Sequence, residues 1–124
     1  MNEITKIADI KVENIIYEIR GYQVMLDSDL AKLYNVETKR INEAVKRNKE
    51  KFPKRFSFIL NDEEMQCFEV ANCDFKIENR GGRRNNLRAF TEQSVAMLAT
   101  ILKSKVATRV SIRIMDAFVE MRNI

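Results

Sequence analysis

Residues Asp27 to Asn48 limit the possible folds more than any other stretch of this chain. Leu30, Ala31, Leu33 and Tyr34 recur at helical spacing, and Asp27 or Ser28 stands where an N-cap is needed. Asn35 then offers one of the few non-glycine residues that enter the left-handed conformation cheaply, so the spacing predicts a short helix ending there. Thr38 offers a second N-cap, for a helix from about Lys39 to Lys49. A helix-turn-helix requires a small residue at the helix crossing, a left-handed residue at the turn and an apolar inner face on the second helix. Ala31, Asn35 and the set Ile41, Ala44 and Val45 supply these in order.

With Ile41, Ala44 and Val45 turned inward, Lys39, Arg40, Asn42, Glu43, Lys46 and Arg47 fall on the outer face. These are the side-chain types that read base edges: Arg or Lys on guanine, Asn on adenine, Glu on cytosine. The helix start at Thr38 can also offer backbone N–H groups to a phosphate. Taken alone, the pattern also fits two amphipathic helices with a solvated charged face.

The charge distribution favours the nucleic-acid reading. The 124 residues carry a net +4, but Thr38 to Arg55 holds eight Lys or Arg against two acids, a balance of +6. Lys76 to Arg88 adds a balance of +4, so the rest of the chain is net acidic. Cations gathered in two places suit a polyanion such as double-stranded DNA. The second cluster includes Arg80-Gly81-Gly82-Arg83-Arg84, a turn resembling a wing. Arg83, Arg84 and Arg88 would there grip the backbone or enter the minor groove. A solvated turn with incidental charge is the plainer alternative.

Around this unit the pattern predicts an α+β fold, mostly helical and winged-helix-like, in one domain over 1–124 with its core at about 13–122. Ile15 to Arg20 and Tyr22 to Leu26 read as a hairpin turning at Gly21. Pro53 stops the second helix, and Arg55 to Leu60 alternates as a strand. Asn61 with Glu64 forms an approximate capping box for a helix to about Val70. Phe75 to Ile77 and Leu87 to Phe90 read as a second hairpin around Gly81-Gly82. Thr91 begins an apolar helix expected to be the buried central one. Ser104 caps the long last helix, where Val106, Val110, Ile114, Ala117, Phe118 and Met121 form one stripe and Ile112, Met115 and Val119 a second. A stripe that wide predicts burial on more than one side, and so a homodimer through this helix.

Catalysis is not expected. The chain has no histidine, the usual general base and commonest metal ligand. Cys67 and Cys73 match no zinc or redox spacing and read as small buried thiols. Asp27-Asp29 and Glu63-Glu64 are explained by helix starts, and Met65, Met97, Met115 and Met121 by core packing. Gly81-Gly82 lacks the residues of a phosphate-binding P-loop. We expect no catalytic residue, metal site or cofactor. No apolar run approaches a membrane span and Met1 to Val12 is interrupted by charges, so a cytoplasmic location is expected.

Several segments together resemble a known family. They are Arg20-Gly21, Val24 to Tyr34, Thr38 to Glu43, Val45 to Asn48, Phe52-Pro53, Gly81 to Arg84, Ala89 to Gln93 and Val95 to Leu98. In this order they resemble the ORF6N domain, a relative of the KilA-N and Bro-N modules of phage and other mobile-element proteins. The resemblance runs from about Ile15 to Met121. It implies a phage- or prophage-type DNA-binding module associated with transcriptional regulators and antirepressors. The alternative reading is an antirepressor-type protein-interaction module that captures a repressor protein instead of DNA. The chain departs from the pattern at Asn86-Leu87-Arg88, at Ser94 and at Asp116. The first alters the wing and the last removes a cation, while Thr38 to Asn48 is untouched.

Overall fold

The computed structural model describes residues 12–71 and 86–122. A 3₁₀ turn (Val12–Ile15) leads into the hairpin β1 (Tyr17–Ile19) and β2 (Tyr22–Leu26). Arg20 and Gly21 both have positive φ, 59° and 79°, as a two-residue hairpin turn of the mirror-image type requires. Helices α1 (Asp27–Tyr34) and α2 (Thr38–Arg47) follow, then a 3₁₀ turn (Lys49–Lys51), strand β3 (Ser57–Ile59) and α3 (Asp62–Ala71). Strand β4 (Arg88–Phe90), α4 (Glu92–Leu102) and α5 (Lys105–Arg122) are the remaining elements among the described residues.

The four strands form an antiparallel sheet in the order β1-β2-β4-β3. Leu87 to Phe90 thus contributes a strand, but it lies between β2 and β3, with Met25 opposite Phe90 and Ile59 opposite Arg88. The partner strand expected at Phe75 to Ile77 lies outside the described residues. Side chains alternate across the sheet. Met25 and Phe90 enter the helical core with Leu30, Leu33, Ile41, Val95, Leu98, Ile114 and Phe118. Val24, Leu26 and Ala89 pack on the other side with Phe58, Leu60 and Met65 of the β3–α3 segment.

Helix caps set several boundaries. The Asn61 and Glu64 side chains each accept the other's backbone N–H, at 2.8 and 2.9 Å, a full capping box for α3. The Ser104 hydroxyl accepts the Ala107 N–H at 2.9 Å and starts α5. Thr91 precedes α4, but its hydroxyl donates to the Phe56 carbonyl at 2.9 Å instead of capping the helix. Within α4, Ser94, Val95 and Leu98 are fully buried; Met97, Ala99, Ile101 and Leu102 are half-buried and Ala96 is exposed.

The first stripe of α5 is core from Val110 to Phe118, with Met121 half-buried and Val106 exposed. The second stripe leaves Ile112 57% and Val119 40% exposed, with only Met115 half-covered. Cys67 is exposed, contrary to the buried thiol expected, because it sits on the outer face of α3. Cys73 lies outside the described residues. Among the described residues no helix is long and apolar enough to cross a membrane.

Candidate nucleic-acid interface

The site is built on the α1–α2 corner. Asn35 occupies the left-handed region, with φ 61° and ψ 47°. Its N–H reaches the Lys32 carbonyl at 3.3 Å and that of Val36 reaches Ala31 at 2.9 Å, the two bonds of a Schellman motif. The chain thereby turns into α2 after only Val36 and Glu37. Glu37, not Thr38, is the N-cap residue, and no side chain caps this end. The Glu37 carbonyl already accepts the Arg40 N–H at 2.9 Å, and Thr38 is half-buried as the first helical residue. α2 ends at Arg47, earlier than the expected Lys49, because the Asn48 side chain donates back to the Ala44 carbonyl and its N–H to Val45.

The inner face is as the spacing predicts: Ile41, Ala44 and Val45 are buried against the core. Lys39, Arg40, Lys46 and Arg47 are exposed on the outside. None of the four has an ion-pair partner among the described residues. Glu43 is half-buried. Asn42 is placed differently from a free base reader. Its side-chain amide donates to the Asp27 carboxylate at 2.9 Å and to the Thr38 carbonyl at 3.3 Å, so its donors serve the fold. Asp27 is 1% exposed and also accepts the Ser28 N–H at 2.8 Å.

Arg88 lies on β4, half-buried, with Nη1 3.3 Å from the Ser57 hydroxyl. Arg83 and Arg84 lie outside the described residues. Further cations lie next to the end of α2. Lys49, Lys54 and Arg55 are exposed just after α2, and Arg55 lies over the Phe56 ring at 5.1 Å. They belong to the basic stretch around Pro53, and that charge excess was the signal available for them.

Arg20 at the hairpin turn makes a two-pronged ion pair with Glu64, at 2.7 and 2.9 Å, and covers the Phe58 ring at 4.1 Å. Arg20 holds the Glu64 carboxyl below its usual range, with help from the Asn61 N–H. Burial drives the Asp29 carboxyl up to about 6, against a smaller opposing effect of Lys32.

The ORF6N domain family model matches residues 14–101, more than half of the chain. No curated protein and no solved structure matches it. The chain belongs to the ORF6N family.

Proposed function

We propose that this is a non-catalytic, sequence-selective DNA-binding domain of a phage- or prophage-type regulator, with α2 entering the major groove of double-stranded DNA. The observation that carries this reading is the exposed quartet Lys39, Arg40, Lys46 and Arg47 on the outer face of the second helix of a helix-turn-helix, none of them in an ion pair among the described residues. In such units the N-terminal part of the second helix meets base edges. Lys39, Arg40 and Glu43 take that role, while Lys46, Arg47 and Arg88 neutralise phosphates. Membership of the ORF6N family supports contact with nucleic acid.

The test is fluorescence-anisotropy binding of random duplex DNA across a salt series. Affinity should fall linearly with log salt, and the slope should be shallower for Arg40→Ala/Lys46→Ala/Arg47→Ala. No binding at low salt would overturn the reading and direct the search to a repressor-type protein partner.

The domain pairs with a second copy through α5. Ile112 and Val119 form an exposed apolar strip, flanked by Arg109 and Arg113 toward one end and by Asp116 and Glu120 toward the other. An antiparallel two-fold pairing sets each basic end against the partner's acidic end and covers the strip. Sedimentation should report a dimer that Ile112→Glu converts to monomer; a wild-type monomer well above the concentrations where DNA binds would sink the pairing.

A further inference from the structure

Beside the end of α2 lies a cleft of about 540 Å³, walled by Arg20, Lys46, Lys49, Lys54 and Arg88. Among the described residues no carboxylate lines it. Its apolar surface comes from Val45, Phe52 and Phe58. A space of this size falls in the range of small-ligand sites, but four cations in no ion pair among the described residues, Lys46, Lys49, Lys54 and Arg88, select an anion over an apolar ligand.

Arg20 is already held by Glu64. Lys46, Lys49 and Lys54 have no ion-pair partner among the described residues. Arg88 carries a buried Nε with no hydrogen-bond partner there. A buried unsatisfied donor is costly, and a charged one more so. Burial also draws the Arg88 guanidinium below its ordinary range, against the opposing effect of Asp27.

We propose that this cleft is a phosphate-binding site, seating one backbone phosphate of the DNA strand that flanks the groove occupied by α2. Lys46, Lys49 and Lys54 are ammonium point charges around it, and the Arg88 guanidinium is the forked donor. Its position follows the geometry of the helix, whose C-terminal end lies where the strand's phosphates pass when the N-terminal end meets the bases. The proposal rests on the DNA reading for the source of the phosphate, and on the cleft alone for the chemistry.

The experiment follows the Arg88 side-chain Nε–H signal in ¹⁵N-labelled protein, identified by its loss in Arg88→Lys. The protein is titrated separately with sodium phosphate and with a short random-sequence duplex. The signal should shift with both. In parallel, Lys49→Gln/Lys54→Gln, two exposed positions outside the core, should weaken duplex binding about tenfold and lower the log–log salt slope by about one.

A duplex that shifts the α2 amides, while the Arg88 signal and the affinity of Lys49→Gln/Lys54→Gln stay at their starting values, overturns the cleft and leaves the DNA reading standing. Sodium phosphate shifting the signal while the duplex shifts nothing keeps the phosphate site, assigns it to a free phosphate ester and overturns the DNA reading. A signal unmoved by either ligand overturns the proposal.

Discussion

The Asn42 side-chain amide donates to the buried Asp27 carboxylate at 2.9 Å, joining the first residue of α1 to the middle of α2. Cutting this bond leaves a buried carboxylate short of a partner, so Asn42→Ala should cost about 1–3 kcal/mol. Asn42→Asp should cost more, since it sets two carboxylates against each other. Urea unfolding measures both. An Asn42→Ala domain of undiminished stability but altered base preference would return Asn42 to base reading.

Asp29 makes stability depend on pH. Its carboxyl titrates at about 6 in the folded chain against an ordinary 3.8, so the folded state holds the proton more tightly than the unfolded one. That contribution is fully present below about pH 4 and is lost as pH rises through about 6, amounting to at most about 3 kcal/mol. Asp29→Asn should flatten this part of the profile and leave the domain more stable at pH 7. Urea titrations at pH 4.5 and 7 would expose the error if the two proteins show the same pH dependence.

Tyr34 and Ser111 share a buried hydrogen bond of 2.6 Å between α1 and α5. Burial pushes the Tyr34 phenol up to about 12. Tyr34→Phe strands the Ser111 hydroxyl and should cost about 1–2 kcal/mol. Adding Ser111→Ala should cost less than the sum of the single changes. Strict additivity in thermal unfolding would deny the coupling.

Glu64 serves the α3 cap and Arg20 together. Glu64→Ala should therefore destabilise by about 1–2 kcal/mol, as loss of a capping partner does. It should also free Arg20, seen as a new Arg20 side-chain signal position by NMR. Unchanged melting together with an unchanged Arg20 signal would count against both contacts.

The legible features were local ones. Ile41, Ala44 and Val45 followed from helical spacing, Asn35 from its tolerance of positive φ, and the Asn61–Glu64 box and the Ser104 cap from neighbours three residues apart. The bond from Asn42 to Asp27 was not legible, because its partner stands fifteen residues away and helical spacing alone cannot see an opposing helix. Thr38 was displaced by Glu37 as the N-cap residue because the tight turn leaves only Val36 and Glu37 before the helix starts. Leu87 to Phe90 was recognisable as strand, yet its neighbours were not, since period two carries no information on pairing order.

That pairing order bears on how the domain assembles. β4 joins β2 to β3, with Met25 meeting Phe90 and Leu26 meeting Ala89 across more than sixty residues of chain. The hairpin and the α1–α2 corner close short loops and form on fast timescales, while β4 must bear the entropy of a long closure. On these grounds β4 is expected to close last, as a latch. The α1–α2 corner is then shaped early and anchored last, when the far half of the chain threads its strand into the centre of the sheet.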